Sequence, residues 1–363
     1  MIHIKEIQNG GDNEVTLKDW EDLNLNHRFG TFFHSNGWID FQTSLGITSQ
    51  RLAFFDGNEL VGICFIKEEP GRFGTILYSP RGPVMDWSNK NTTKMCLQAL
   101  KDHFQNKGYL LLRVEPAIRR NSAVVKSTFP ELGFKDSILP VQGTNRWILE
   151  INGREDEELL KWMRENGRRK KFGNFINTAK RSGVVIKFDD FPDGDPQLAA
   201  VDIFSGLLEA LGERKSINVQ DKDYFRKMKA AMGDQMLIPL AYLNGKPVAG
   251  AIIIAYGEES SFIYGASLPE TGQTHATHLL HWEAIRKVRQ MGVQRYNFWG
   301  VLEEKDYHPG NPGYGYSNFK RSFGGYVDQV IPPQDLVFNW IAHVPFKIQQ
   351  RFWLRDLKAK GYL

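Results

Sequence analysis

LAFFDGNELVGICFI (residues 52–66) and LAYLNGKPVAGAIII (residues 240–254) align without a gap, although 188 positions separate them. In both stretches an apolar run leads into a turn dipeptide, Asp56-Gly57 or Asn244-Gly245, and a second apolar run follows. This pattern predicts a β-hairpin, because the favoured two-residue turn needs positive φ at its central residues. The same hairpin is therefore expected twice in one chain.

The elements after each hairpin also repeat in the same order. A strand containing Tyr78 or Tyr264 comes next, followed by a helical pattern at 95–106 or 276–290. Each helix ends near a glycine suited to a left-handed C-cap, Gly108 or Gly292, and a further strand begins. We therefore predict a duplicated domain of about 150 residues rather than a short-period solenoid.

Length and composition agree with two domains. The chain has 363 residues, 41% of them hydrophobic and 24% charged, which is typical of a soluble globular protein. We place the first domain at 1–150 and the second at 151–330. A basic aromatic helix is expected at 331–363, a segment that is also a candidate to complete the first domain. No segment approaches the roughly 18 apolar residues of a membrane span, and no signal-peptide core is present, so we expect a cytoplasmic protein. We also expect it to be a monomer.

The cysteines and the charge carry less information. Cys64 falls in a predicted strand and Cys96 in a predicted helix, without other thiols at ligand spacing, so we expect inert buried thiols and no metal or other cofactor. The net charge is only +4. Basic side chains recur at helical spacing after residue 160, and two interpretations stay open for them, a solvated helix and a phosphate-binding face. The residues concerned are Arg164, Arg168, Arg169, Lys170 and Lys171.

The order of hairpin, strand, helix and strand is that of the GNAT acyltransferase fold. In tandem, it resembles the Fem (FemABX) family of peptidoglycan bridge aminoacyltransferases, over essentially the whole chain. The strongest match is YSNFKRSFGG (residues 316–325). Further matches are Trp38 in HSNGW, SPRGPVMD (79–86), LRVEP (112–116), GERKSI (212–217), IYGAS (263–267) and FWGV (298–301).

The resemblance implies both a fold and a reaction. The fold would be α/β, with two tandem GNAT-like domains whose mixed sheets are flanked by helices. The reaction would be transfer of an amino acid from aminoacyl-tRNA to an amine on the stem peptide of a peptidoglycan precursor, either lipid-linked or UDP-linked. GNAT enzymes that use CoA cradle its pyrophosphate in a glycine-rich loop at a helix N-terminus. The corresponding loops here, SPRGPVMDWSN and GASLPETGQTHA, lack that pattern.

Roles for individual residues also come from the resemblance. Lys320 matches the lysine thought to stabilise the tetrahedral intermediate, and Tyr264 matches an active-site tyrosine. The proposed substrate-binding set is Phe319, Glu115, Tyr224, Arg214, Gln42, Gln220 and Trp38. Four of these residues have a structural alternative: a surface lysine that closes a strand for Lys320, core packing for Tyr264 and Tyr224, and a strand-end carboxylate for Glu115.

Two positions depart from relatives that accept the nucleotide-linked precursor. Gln42 and Gln220 stand where those relatives have a lysine and an arginine, and glutamine cannot neutralise a diphosphate. Arg214 is one candidate to compensate.

The basic aromatic tail has two interpretations: docking on its own domain, or peripheral contact with the inner membrane face, which would favour the lipid-linked acceptor. Two other functions stay open for the chain. One is a CoA-dependent GNAT enzyme acting on a small molecule or polysaccharide, and the other is a non-catalytic RNA- or cell-wall-binding protein.

Overall fold

The computed structural model describes residues 2–7, 16–120, 122–167, 172–188 and 196–359. Its strands are β1 (Ile2–Glu6), β2 (Ser49–Asp56), β3 (Glu59–Glu69), β4 (Ile76–Arg81), β5 (Val84–Met85), β6 (Leu111–Pro116), β7 (Lys135–Asp136), β8 (Asn145–Glu150), β9 (Val185–Lys187), β10 (Met236–Leu237), β11 (Leu240–Leu243), β12 (Lys246–Tyr256), β13 (Glu259–Ser267), β14 (Arg295–Gly300), β15 (Tyr326–Gln329) and β16 (Gln334–Val337). Its α-helices are α1 (Leu17–Asn26), α2 (Asn36–Ser44), α3 (Lys90–Phe104), α4 (Ala123–Leu132), α5 (Asp156–Asn166), α6 (Phe172–Arg181), α7 (Pro196–Lys215), α8 (Lys222–Met232), α9 (Thr271–Thr274), α10 (Ala276–Gln290), α11 (Tyr314–Arg321) and α12 (Trp340–Ala359).

The chain forms two compact units. The first comprises Met1–Asn145, Leu302–Gly313 and Asp328–Leu363, and the second comprises Arg146–Val301 and Tyr314–Val327. The division thus falls near residue 145 rather than 150, because β8 pairs with β14 of the second sheet. The segment at 302–313 lies with the first unit, although the sequence suggested the second.

Each unit is built on a mixed eight-stranded sheet. The first sheet has the order β1-β2-β3-β4-β6-β16-β7, with β5 beside β3, and the second has β15-β8-β14-β13-β12-β11-β9, with β10 beside β12. In the first sheet β4 and β6 run parallel, and in the second β13 and β14 do. The repeated elements of the sequence therefore occupy equivalent places in the two sheets, as predicted.

Helices cover both faces of the second sheet. Ala249, Ala251 and Ile253 of β12 join a core with residues of α5, α6 and α10. Gly250 faces the other way, against Phe204 and Leu207 of α7, as alternation along a strand requires. A Cβ on Gly250 would stand 2.9 Å from Leu240 Cδ2. This close approach gives a physical reason for the glycine that both hairpins share.

The hairpin turns differ in one detail from the prediction. In the second copy Leu243 pairs with Lys246, and Asn244 and Gly245 both have positive φ, as predicted. In the first copy Asp56 still belongs to the ladder and pairs with Glu59, so the turn is Gly57-Asn58, with φ of 59° at Gly57. That first turn is one residue later than the predicted Asp56-Gly57, because Asp56 still pairs in the ladder.

The C-terminal segment holds a strand as well as the predicted helix. β16 inserts between β6 and β7 of the first sheet. It is fixed by Arg113, whose Nε and Nη2 donate to the two carboxylate oxygens of Asp335 at 2.7 and 2.8 Å. Both side chains are buried, so the pair holds the two ends of this unit together.

Two further expectations concern the thiols and the membrane. Cys64 and Cys96 are free and buried, as predicted. Among the helices in the described ranges, none is long and apolar enough to cross a bilayer.

Candidate functional site

The candidate site lies where two parallel strands of the second unit stop pairing. The ladder between β13 and β14 covers only residues 259–261 against 295–297, although β13 continues to Ser267. A cavity of about 370 Å³ is lined by residues of β13, α7, α9, α10 and α11. A volume of this size is within the range of small-molecule sites, roughly 300 to 1,000 Å³. The side chains that give it chemical character are Arg214, Lys215, His275, His278, His281, Phe319 and Lys320.

Lys320 lies in the last turn of helix α11, not at the end of a strand. Its Nζ donates a hydrogen bond to the carbonyl oxygen of Gly300 at 2.6 Å. The same nitrogen stands 5.2 Å from the centre of the Tyr316 ring. Burial lowers the pKa of Lys320 to about 7, because an ammonium is poorly solvated there. The surface-lysine alternative is therefore not what the structure shows.

The glycines after Lys320 explain the Phe-Gly-Gly sequence. Gly324 and Gly325 both adopt positive φ, 79° and 103°, which turns the chain from α11 into β15. A Cβ on Gly325 would stand 2.3 Å from the carbonyl oxygen of Ile148. The Gly324 carbonyl accepts a hydrogen bond from Trp147 Nε1 at 2.6 Å. The motif thus fixes the end of the helix that carries Lys320.

A bulge in β14 positions the Gly300 carbonyl. The register of β14 against β8 shifts between Asn297 and Gly300, and Trp299 has a φ of 66°. Asn297 is fully buried, and both polar atoms of its side chain stabilise this conformation. Its Oδ1 accepts from the Trp299 amide at 2.7 Å, and its Nδ2 donates to Glu259 at 2.8 Å. The bulge orients the acceptor that holds Lys320.

Two histidines of α10 form a neutral, aromatic wall beside Lys320. The His278 ring lies 4.9 Å and the His281 ring 5.4 Å from that of Phe319. Burial lowers the pKa of each histidine to about 3, so both are uncharged at neutral pH. His281 Nδ1 hydrogen-bonds with the hydroxyl of Tyr296 at 2.8 Å. These histidines were not predicted as site residues, although their three-residue spacing in HATHLLHW places them on one helix face.

The cavity is electropositive. Arg214, Lys215 and Lys320 line it, and no Asp or Glu is among the described residues that do so. Arg214 is exposed, and its Nη2 donates to the Ser267 carbonyl at 3.0 Å, which holds the guanidinium at the end of β13. The start of α10 also lines the cavity through His275 and Thr277. Cations and a helix N-terminus together favour an anionic ligand. Within the described part of the chain, no group of three His, Cys, Asp or Glu residues could hold a metal ion.

Tyr264 and Tyr224 lie together, on a strand and a helix of the second unit. Their hydroxyl oxygens are 3.1 Å apart, and the Tyr264 ring also packs against Phe225. Burial raises the pKa of both phenols, so each stays protonated at neutral pH. Neither is among the residues that line the 370 Å³ cavity, although Phe262 and Gly265 of the same strand are.

Three predicted residues belong to the first unit. Trp38 is half-buried and packs edge-on against Phe41, and Gln42 is buried in the same helix. Glu115 is fully buried. Its carboxylate accepts hydrogen bonds from the Tyr78 hydroxyl and, at 3.1 Å, from the Gln142 amide. Both oxygens are thus engaged inside this unit, which favours the structural carboxylate over a group that contacts an acceptor amine.

The remaining predicted residues are on the surface or outside the described ranges. Gln220 is exposed in the loop before α8, and Arg164 is exposed on α5. Residues Arg168, Arg169, Lys170 and Lys171 lie outside the described ranges. Helix α5 ends at Asn166. Arg164 is thus the one residue of the candidate phosphate-binding face that lies within the described ranges, and that face stays a prediction.

The tandem mixed sheets, each with one parallel strand pair, define a tandem GNAT-like fold. A tandem GNAT protein from the clavulanic acid biosynthesis pathway has a similar structure, with a TM-score of 0.51 and 13% identity over 93% of this chain and 99% of that one. The crystal structure of FemX is more similar, with a TM-score of 0.80 and 17% identity over 94% of this chain and 100% of FemX.

Sequence comparison identifies the family. Residues 15–247 and 244–339 match the FemAB family, so the chain belongs to that family. The lipid II:glycine glycyltransferase of Staphylococcus epidermidis is 23% identical over 96% of this chain and 98% of its own length. The predicted resemblance and the assignment to the acyltransferases are confirmed.

Proposed function

We propose that this protein transfers an amino acid from aminoacyl-tRNA to an amine of the peptidoglycan stem peptide, and so forms the interpeptide bridge. The acceptor is the lipid-linked precursor, and the reaction takes place at the cytoplasmic face of the membrane. Family membership and the relatives named for transfer of glycine to lipid II support this proposal.

Lys320 is the observation that carries the proposal. In aminolysis, the acceptor amine attacks the ester carbonyl, a C–N bond forms, and the negative charge of the tetrahedral intermediate falls on the former carbonyl oxygen. That intermediate collapses by breaking the bond to the tRNA ribose oxygen, which leaves with a proton. A cation held in a desolvated cavity stabilises the oxyanion, and one preorganised donor of this kind contributes roughly 2.7 to 4 kcal/mol. The hydrogen bond to Gly300 orients Lys320 for that task.

The donor is proposed from the charge of the cavity. Arg214, Lys215 and the N-terminus of α10 offer positive charge to the phosphodiester that precedes the aminoacylated ribose. A CoA donor is less well supported, because the loop GASLPETGQTHA before α10 lacks the glycine-rich pyrophosphate cradle. Tyr264 stays a proposed hydrogen-bond donor to the reacting groups, with Tyr224 fixing its hydroxyl.

Two uncharged side chains support the proposal that the acceptor is lipid-linked. Gln42 and Gln220 carry no charge where relatives that bind the nucleotide-linked precursor have cations. Loss of both weakens the recognition of a UDP diphosphate.

The test is a transfer assay with radiolabelled amino acids charged on a total tRNA pool, offered in parallel to lipid-linked and nucleotide-linked precursors. We expect label on the lipid-linked acceptor, sensitivity to RNase, and loss of transfer in Lys320→Met. Label on the nucleotide-linked acceptor alone would refute the assignment of the acceptor. Transfer from an acyl-CoA with none from aminoacyl-tRNA would refute the assignment of the donor.

A further inference from the structure

The C-terminal helix α12 presents an apolar stripe to solvent. Its 20 residues include Ile341, Val344, Ile348 and Phe352, whose spacing of three and four residues places them on one face. Their side chains are 89%, 59%, 50% and 64% exposed. With a rise of 1.5 Å per residue, this stripe is about 16 Å long. An exposed apolar surface of this regularity indicates a partner.

The opposite face of α12 is already committed to the first unit. Phe346 is buried and forms a cluster with Leu110 and Leu111. Its ring also contacts that of Phe73 edge-on at 6.5 Å. Gln350, one turn further on, is buried as well. The helix is thus held in place from one side, and the apolar stripe is the side left open. The predicted docking of the tail thus holds for one face of the helix, and the exposed apolar stripe lies on the other face.

Basic side chains flank the apolar stripe. Lys347, Arg351 and Arg355 are all exposed on α12, and Asp356 is the only acidic residue of the helix sequence. Trp340, the first residue of the helix, is 54% exposed. An amphipathic aromatic ring and long cationic side chains beside an apolar stripe suit the boundary between lipid headgroups and acyl chains.

We propose that α12 binds flat on an anionic lipid bilayer, with its apolar stripe among the acyl chains and its cations at the lipid phosphates. A second copy of the chain fits the stripe less well, because pairing two stripes would bring two sets of these cations together. Binding of α12 to a bilayer does not require the transfer reaction. The purpose of this binding rests on the proposed function, because a lipid-linked acceptor is present only at a membrane.

Co-sedimentation tests this proposal with the full chain. The probes are vesicles of phosphatidylcholine alone and of phosphatidylcholine mixed with phosphatidylglycerol. We expect binding to the anionic vesicles, a decrease with added salt, and little binding to the neutral ones. The variants Ile348→Ser/Phe352→Ser and Lys347→Glu/Arg351→Glu should each bind at least about tenfold more weakly. Matched controls are Val185→Ser and Lys246→Glu, since both residues are exposed in the second unit.

The outcomes separate this inference from the proposed function. Because the substituted side chains are exposed, the thermal unfolding of all variants should match that of the wild type, and transfer to a detergent-solubilised precursor should persist. Equal vesicle binding by wild type and variants would refute the inference. So would dimers in solution that Ile348→Ser/Phe352→Ser abolishes while vesicle binding is absent. Loss of vesicle binding with transfer intact leaves the proposed function standing, whereas wild-type vesicle binding without any transfer refutes only the proposed function.

Discussion

Replacing Lys320 with Met tests whether the protein pays a stability cost to keep this ammonium in its cavity. Burial lowers the pKa from 10.5 to about 7. The unfolded chain therefore binds one more proton than the native protein between pH 7 and 10.5, and wild-type stability rises with pH across this window. Below pH 7 both states are protonated, and the full cost is present. About 1.4 kcal/mol per pKa unit gives an upper bound of about 5 kcal/mol.

Replacing Lys320 with Met removes this destabilisation, but it also removes the hydrogen bond to the Gly300 carbonyl. Leaving that carbonyl without its donor costs about 1 to 3 kcal/mol. We therefore expect Lys320→Met to be more stable than wild type by about 2 to 4 kcal/mol at pH 6.5, with the difference shrinking as pH rises. Although the variant gains stability, its transfer activity should fall by about 10² to 10³ in kcat.

Urea unfolding between pH 6.5 and 9.5 measures the stability difference, and single-turnover transfer measures the activity. Lys246→Met is the matched control, because Lys246 is exposed at the first residue of β12 and does not line the cavity. A difference between wild type and Lys320→Met that stays constant with pH would show that burial does not depress the pKa of Lys320. Wild-type transfer rates in the variant would remove Lys320 from the mechanism.

Three other predictions follow. Lys320→Arg keeps its charge above pH 7, so the ratio of wild-type to variant transfer rates should fall with rising pH up to 9. Parallel pH profiles would contradict stabilisation of the oxyanion by the charge of the Lys320 ammonium. Gly325→Ala should lower the unfolding free energy by at least about 2 kcal/mol in urea titrations, because of its φ and the Ile148 carbonyl. Gly206→Ala, at an open position in α7, should be neutral or stabilising, and equal effects at the two glycines would contradict that reasoning. Glu115→Ala should cost about 2 to 5 kcal/mol by leaving two buried donors unpaired, without raising the KM for the acceptor, and a raised KM would restore the orienting role.

The duplicated fold could be predicted because its signals are local. Hairpin turns and glycine caps act over a few residues, and helix α10 has the bounds that the periodicity predicted, 276–290. The turn at Gly57 was missed by one residue because the pairing of Asp56 with Glu59 depends on the partner strand. β16 was missed because its place in the sheet depends on Arg113, 222 residues earlier in the chain. Local patterns contain no information about such a contact.

The candidate site could also be predicted only in part from the sequence. Lys320, Phe319 and Arg214 were identified from short motifs, and all three line one cavity. The helical setting of Lys320 could not be derived, because it depends on positive φ at two glycines packed against Ile148 and Trp162. The neutral state of His278 and His281 is a property of burial, and burial is decided by the surrounding aromatic rings rather than by sequence spacing.

The insertion of β16 between β6 and β7 has a consequence for synthesis on the ribosome. The first sheet lacks an internal strand until residues 334–337 have emerged, by which time all of the second unit has been translated. The second unit can therefore finish folding first, while β6 waits with an open edge and an uncompensated Arg113. The two units can thus mature in the reverse of the order in which their first strands are made.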